Sequence, residues 1–157
     1  MAGSRSGIWS ARAAVELRAI SFVLDNSVAL AWCFEDEHTP AILAVLDRLT
    51  EAGAMAPQLW PIEAVNGLLT AERRGRITAM QRQRLAGFLR ALPIKVEDQT
   101  ASQAWTATAH LAEQHRLTAY DATYLELAMR LALPLATTDK ALRVAAEAAG
   151  VPLLAAA

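Results

Sequence analysis

The chain has 157 residues, a formal net charge of -1 and 54% hydrophobic residues. This length and apolar fraction suit one compact domain with a single buried core. Because its apolar runs are all shorter than the roughly 20 residues that span a bilayer, the sequence does not predict a membrane protein. A net charge near zero excludes long-range attraction of the whole molecule to nucleic acid, so any contact with a polyanion has to be local.

The chain contains one cysteine, Cys33. It therefore has neither an intramolecular disulfide nor a cysteine zinc cluster, which is typical of a cytoplasmic, reducing environment. Residues 1–20 lack the continuous apolar stretch of a secretory signal. We expect 1–20 to be an N-terminal extension, flexible at its start with a short helix over 11–20, and we expect 21–157 to form the folded domain.

From Phe22 onward, short β-type runs alternate with longer segments whose apolar residues recur every three or four positions. The pattern predicts strands at 21–24, 54–57, 94–96, 135–137 and 151–154. It predicts helices at 27–34, 39–52, 61–74, 79–92, 100–115, 121–131 and from 138 or 139 onward. Such alternation favours a three-layer α/β/α domain with a mainly parallel sheet of four or five strands. The working crevice of such a sheet lies beyond the carboxyl ends of its strands.

Four acidic residues stand where a strand-like run changes to a helical one, or in the first turn of that helix. They are Asp25, Glu63, Asp121 and Asp139. Each has an alternative interpretation: an aspartate can cap a helix, with Thr138 competing for the last cap, and a glutamate can complement the helix dipole. Parallel topology, however, directs all four to one edge of the sheet. Converging carboxylates are costly there unless a divalent cation neutralises them.

This acidic set indicates a particular chemistry. Phosphodiester hydrolysis requires a deprotonated water, charge relief on the phosphoryl oxygens and stabilisation of the leaving alkoxide, and a cation with oxygen ligands supplies all three. We therefore interpret the four carboxylates as the catalytic and metal-binding residues of a phosphodiester-cleaving enzyme. We expect Asp25 and Asp121 to be direct ligands and Glu63 and Asp139 to bind directly or through water. The sequence leaves open whether one or two ions act.

Four segments of the chain resemble, in order, the motifs of the PIN-domain ribonucleases, and they look closest to the bacterial toxins of the VapC type. The segments are 22–27 (Phe-Val-Leu-Asp-Asn-Ser), 61–66 (Pro-Ile-Glu-Ala-Val-Asn), 120–125 (Tyr-Asp-Ala-Thr-Tyr-Leu) and 135–139 (Leu-Ala-Thr-Thr-Asp). The similarity covers nearly all of 22–154. It implies a PIN-like fold, Mg²⁺ or Mn²⁺ in the acidic pocket, RNA as the substrate and a cognate antitoxin as a partner.

The resemblance also implies supporting roles for polar neighbours of the acids. Ser27, with Thr137 or Thr138, is expected to donate hydrogen bonds to the carboxylates or to metal-bound water. Asn26 departs from the family, in which threonine is more usual at that position, so the local hydrogen bonding there is open. Two other functions remain open: an RNA-processing nuclease without a toxin role, and a non-catalytic RNA-binding or protein-binding relic of the fold.

Two further surfaces are candidates for partners. Arg73, Arg74 and Arg76, with Arg82 and Arg84 on the next helix, form the densest basic patch; it is either an RNA phosphate contact or a solvated helix end. The helices at 27–34 and 39–52 carry apolar residues that suggest an antitoxin groove or a homodimer contact. Those residues are Leu30, Trp32, Phe34, Ile42, Val45, Leu46 and Leu49. Tyr120 and Tyr124 are expected mainly to pack their helix.

Overall fold

The computed structural model describes residues 22–154. The expected N-terminal extension, the helix expected over 11–20 and the first residue of the first predicted strand lie outside the described residues. In the described part, no helix is both long enough and apolar enough to cross a membrane.

Five short strands form one sheet. They are β1 (Val23–Leu24), β2 (Ala54–Pro57), β3 (Ile94–Glu97), β4 (Leu135–Ala136) and β5 (Leu153–Leu154). The order is β3-β2-β1-β4-β5, and the strands pair in parallel throughout the described region. The predicted α/β class is confirmed. Because the chain adds β2 and β3 on one side of β1 and then β4 and β5 on the other, the topological switch point lies between β1 and β4.

Helices complete a three-layer α/β/α arrangement. They are α1 (Asn26–Cys33), α2 (Pro40–Ala52), α3 (Trp60–Arg73), α4 (Ala79–Ala91), α5 (Thr100–Gln103), α6 (Ala109–His115), α7 (Ala119–Leu131) and α8 (Lys140–Ala148). A 3₁₀ turn at Glu35–Glu37 follows α1. The helix predicted as continuous over 100–115 is instead interrupted by a π-helical turn at Ala104–Thr108. The periodicity of the sequence does not distinguish such a turn from ordinary helix.

Helix α7 is the central packing element and lies across β2, β1 and β4. All its residues from Ala122 to Ala128 are buried, including the charged Glu126. Arg130 makes this burial tolerable, since its Nε lies 2.7 Å from Glu126 Oε1 and its Nη1 lies 2.9 Å from Glu97 Oε1. A buried carboxylate that is paired in this way avoids most of its desolvation cost. The same arginine joins α7 to the end of β3.

Gly53 has a backbone conformation that other residues adopt only at a cost. It ends α2 with φ of 70° and ψ of 176°, a region open essentially to glycine. A Cβ there would also lie 3.2 Å from Pro93 O, in the turn before β3. This glycine therefore fixes the entry of the chain into β2.

We predict that Gly53→Ala lowers the free energy of unfolding by about 1–3 kcal/mol because it forces alanine into that region. Gly87→Ala is the matched control, since Gly87 lies inside α4 and an added Cβ would meet open space. That change is expected to raise stability by about 0.5–1 kcal/mol through helix propensity. Urea unfolding followed by circular dichroism measures both. Equal changes in the free energy of unfolding from the two substitutions would show that the backbone conformation of Gly53 does not require glycine.

Candidate active site

Asp25 follows β1 at the first turn of α1, where an aspartate ordinarily caps the helix. Its side chain makes no capping hydrogen bond and is 4% exposed. Instead, its Oδ2 accepts hydrogen bonds from Ser27 Oγ at 2.6 Å and from Thr137 Oγ1 at 2.8 Å. Asp25 therefore stands at the N-cap position of α1, but its main side-chain partners are hydroxyl groups and not the backbone of the helix. The residue is a buried carboxylate held by two hydroxyl groups.

Thr137 brings the second half of the chain to this carboxylate. It follows β4 directly and is fully buried. Beside it, the backbone N–H of Asp25 donates to Ala136 O at 3.0 Å, so β1 and β4 remain paired up to the site. Thr137 Oγ1 also accepts the backbone N–H of Asp139 at 3.1 Å. One hydroxyl thus joins both strands at the topological switch point to the start of α8.

The other polar neighbours differ in what they contact. Ser27 Oγ accepts the backbone N–H of Thr138 at 3.0 Å, so Thr138 reaches the carboxylate of Asp25 through Ser27. The side-chain oxygen of Asn26 takes no part in these hydrogen bonds. Its Oδ1 is buried and has no hydrogen-bond partner within residues 22–154.

Glu63 lies in the first turn of α3, as predicted. Its Oε1 accepts a hydrogen bond from the hydroxyl of Tyr124 at 2.6 Å. Tyr124 is 1% exposed and belongs to α7. Sequence reasoning assigned it mainly a packing role and missed this contact. Its position three residues after Asp121 was the available signal, because residues three apart lie on the same face of a helix.

Asp121 and Asp139 occupy different positions at their helix starts. Helix α7 begins before Asp121, and its cap is Thr118, whose Oγ1 accepts the backbone N–H of Asp121 at 3.1 Å. The prediction that Asp121 starts this helix is wrong, and its carboxylate is not used as a cap. Asp139, not Thr138, caps α8 by accepting the backbone N–H of Leu142 at 2.9 Å on Oδ1.

Three of the four carboxylates have raised pKa values, and the negative charges of acidic neighbours contribute to each shift. The pKa of Asp121 is raised to about 6, first by burial and then by the negative charges of Asp139 and Asp25. Burial also raises the pKa of Glu63, helped by Asp25 and Asp121 and opposed by the hydrogen bond from Tyr124. The pKa of Asp25 is raised mainly by burial, although its two hydroxyl donors oppose the shift. The structure therefore brings all four predicted acids into one electrostatic unit.

A cationic side chain lies beside the site, since Arg143 Nη1 donates to the backbone oxygen of Thr137 at 3.2 Å. The salt bridges within residues 22–154 join other carboxylates, namely Asp36, Glu37, Glu72, Glu97 and Glu126. The same region contains no group of three His, Cys, Asp or Glu side chains arranged as a ready-made metal site. The donors present nevertheless suit a hard cation, because they are oxygens that repel one another. Mg²⁺ keeps several of its waters and needs only one or two protein carboxylates.

The basic patch is divided by its ion pairs. Arg76 Nη2 lies 2.7 Å from Asp36 Oδ1 and 3.0 Å from Glu37 Oε2, and its guanidinium carbon lies 3.9 Å from the centroid of the Phe34 ring. Arg82 is paired with Glu72. In the described part of the chain, Arg73, Arg74 and Arg84 form no ion pair and are exposed.

The apolar residues expected to form a partner groove are largely used inside the domain. Trp32, Phe34, Ile42, Val45 and Leu49 are buried in the core, while Leu30 and Leu46 are partly buried against it. The prediction of a partner surface made of these seven residues is therefore wrong. Amphipathic helices next to a sheet show the same apolar pattern whether they cover that sheet or a partner. Tyr120 is also not a packing residue, since it is 64% exposed.

Fold and site together define a class of protein: an α/β/α domain with an acidic, oxygen-only cluster at its topological switch point. A family model described as the PIN domain matches residues 22–148. The chain therefore belongs to the PIN domain family, which is in general a nuclease fold whose members are typically metal-dependent.

A solved structure shows the same fold. The chain is similar to the crystal structure of PAE2754 from Pyrobaculum aerophilum, with a TM-score of 0.64 and 22% sequence identity. The similarity covers 86% of this chain and 84% of that one. A comparison with curated proteins found no match.

The raised pKa of Asp121 gives a pH-dependent prediction for the metal-free protein. Because its pKa rises from 3.8 to about 6 on folding, the folded state binds this proton more tightly, and the associated stability is lost as the pH rises through 6. In EDTA, Asp121→Asn should raise the free energy of unfolding at pH 7.5 by about 1 kcal/mol, after allowance for partial exposure. At pH 4 it should have little effect.

Urea unfolding at the two pH values measures this difference. Asp47→Asn, on an exposed position of α2, is the control. If Asp121→Asn raised the free energy of unfolding equally at both pH values, the effect would not come from the charge of Asp121.

The contact between Tyr124 and Glu63 gives a second prediction. Tyr124→Phe keeps the buried ring and removes the donor to Glu63 Oε1. Since that hydrogen bond lowers the pKa of Glu63, its loss should raise that pKa further. Carboxyl ¹³C NMR titration of the metal-free protein measures the shift, with Glu51 on α2 as the internal reference. An unchanged Glu63 titration would show that the hydrogen bond does not form in solution.

Proposed function

We propose that this protein is a metal-dependent endoribonuclease that hydrolyses RNA phosphodiester bonds at the site formed by Asp25, Glu63, Asp121 and Asp139. The observation that carries the proposal is the buried carboxylate of Asp25. Two hydroxyls orient it, and three further carboxylates lie near enough for charge interactions to link the four acids. Membership of the PIN domain family supports the same reaction class.

Each residue has a distinct role in this proposal. Ser27 and Thr137 fix one oxygen of Asp25, so that its other oxygen has a defined direction. Tyr124 occupies Oε1 of Glu63 and leaves Oε2 for the site. Asp139 uses Oδ1 for its helix cap and retains Oδ2. Asp121 has a pKa of about 6, so it is mostly ionised at neutral pH.

The cation would be Mg²⁺ or Mn²⁺, with Asp25 and Asp121 as direct ligands and Glu63 and Asp139 binding directly or through water. When bound, it would offset the charge that develops on the phosphoryl group during hydrolysis. Glu63 or Asp139 would orient the attacking water. Within residues 22–154, each of these two carboxylates has one oxygen held by a donor and one oxygen without one.

Asp25→Asn is the decisive substitution. We predict that it lowers RNA cleavage by on the order of 100-fold or more and that EDTA abolishes wild-type cleavage until Mg²⁺ or Mn²⁺ is restored. The fold should survive, because the amide retains the shape of the side chain and removes a buried charge. Mapping of cleaved ends in total RNA measures activity, and thermal melting measures folding.

Asp47→Asn is again the control and should cleave like the wild type. Full activity of folded Asp25→Asn, or wild-type cleavage that persists in EDTA, would refute the proposed site. Isothermal titration that detects no binding of Mg²⁺ or Mn²⁺ by the wild type would favour the alternative of a non-catalytic relic.

The biological role that we propose is that of a cytoplasmic toxin in a toxin–antitoxin pair. The order and type of the motifs at 22–27, 61–66, 120–125 and 135–139, which resemble the VapC-type toxins, support it. Induction should arrest growth in the wild type but not in Asp25→Asn, and an adjacent small gene should relieve the arrest. Growth without arrest would favour an RNA-processing nuclease without a toxin role.

We also propose a homodimer, on a surface different from the one that the sequence suggested. A cavity of about 380 Å³ beside the edge strand β3 is lined by apolar side chains of α3, α4 and β3. Val65 and Val96 line it and are 49% and 40% exposed. Apolar surface next to an unpaired strand edge is typical of a contact between copies. Sedimentation of a strict monomer at high concentration would exclude the dimer.

A further inference from the structure

A second cavity begins at the proposed catalytic site and runs away from it between α1 and α3. Its volume is about 370 Å³, within the roughly 300–1,000 Å³ of ligand pockets. Ser27 and Thr138 line one end, and Ser27 is the residue that donates to Asp25. Arg74 and Arg76 line the other end. We call this cavity the α1–α3 groove.

The shape of the groove depends on Gly67. A Cβ at this position of α3 would lie 2.5 Å from Cδ1 of Leu30 on α1, so the two helices approach closely here because the side chain is missing. Leu30 itself lines the groove. A larger residue at position 67 would therefore push Leu30 into the groove and narrow it.

The two arginines at the far end are not equivalent. Arg76 is neutralised by Asp36 and Glu37 and packs on the Phe34 ring, so it serves as part of the wall. Arg74 has no ion pair in the described residues and remains exposed. The groove thus has an apolar wall formed by Leu30 and Phe34. Its far end carries Arg74 beside the cluster of Arg76, Asp36 and Glu37.

We infer that the α1–α3 groove holds the single RNA strand on one side of the cleaved phosphate, with Arg74 contacting a backbone phosphate. This inference rests on the proposed function and specifies the path of its substrate. A strand suits the groove because Arg74, which forms no ion pair in the described residues, can contact a phosphate, while the bases and sugars can lie against the apolar wall. A protein segment is the competing occupant, but the groove is lined by Ser27, which donates to Asp25, and this position beside the proposed catalytic site favours the substrate strand.

The test measures binding separately from cleavage. Fluorescence anisotropy follows a short single-stranded RNA titrated with full-length protein in Ca²⁺, which accepts oxygen ligands in flexible geometry; a gel confirms that the RNA stays intact. Four proteins are compared over a range of NaCl concentrations: wild type, Arg74→Gln, Arg73→Gln and Gly67→Ala. Arg73 is the matched control because it neighbours Arg74, is exposed and does not line the groove.

Arg74→Gln should weaken binding about 3- to 10-fold and reduce the slope of log K against log salt by about 0.7, the value for one phosphate contact on a single strand. Arg73→Gln should change affinity less than about twofold. Gly67→Ala should weaken binding without changing the slope, since its effect is steric. Because Arg74 is exposed, its variant tests the inference even if Gly67→Ala does not fold.

Equal losses from Arg73→Gln and Arg74→Gln would overturn the inference, because they would indicate diffuse attraction. Undiminished RNA affinity in both Arg74→Gln and Gly67→Ala would also overturn it and would leave the groove to a protein segment. Parallel cleavage assays in Mg²⁺ keep the two proposals separate. Wild-type protein that binds through Arg74 but cleaves nothing would refute the nuclease and retain the groove.

Discussion

The hydrogen bond from Thr137 to Asp25 is the interaction on which the rest of the site depends. A carboxylate as buried as that of Asp25 is costly to ionise unless donors or a cation compensate it. Thr137 supplies one donor from the end of β4, and Ser27 supplies another from α1. These donors also set the direction of the carboxylate, so the same two hydrogen bonds compensate its burial and orient it.

For the surrounding carboxylates Glu63 and Asp121, the effects that disfavour ionisation outweigh those that favour it. Glu63 and Asp121 have raised pKa values because burial and neighbouring negative charges both disfavour their ionised forms. The domain tolerates this strain because its core is formed elsewhere, by α7 against β2, β1 and β4 and by the ion pairs of Arg130. Stability thus comes from the packed centre of the sheet, while the carboxyl edge holds carboxylates that repel one another. Such a division is common where a rigid scaffold supports a strained site.

The fold was largely predictable from the sequence, because alternating β-type runs and amphipathic segments leave few topologies other than a parallel α/β sheet. The convergence of the four acids followed from that topology. Details that depend on distant partners were not predictable. Tyr124 looks like a packing residue until Glu63 is placed beside it, and Arg76 looks like a phosphate contact until Asp36 and Glu37 are found against it. The apolar residues of α1 and α2 have the same pattern whether they face a sheet or a partner.

Two hydrogen bonds of the site reach across long stretches of chain. Glu63 meets Tyr124, and Asp25 meets Thr137, so each contact joins a residue made early in synthesis to one made late. A ribosome that has translated the first hundred codons has released two of the four acids but neither of the side chains that hold them in place from the other half. Any truncated product that ends before Thr137 therefore lacks the assembled centre.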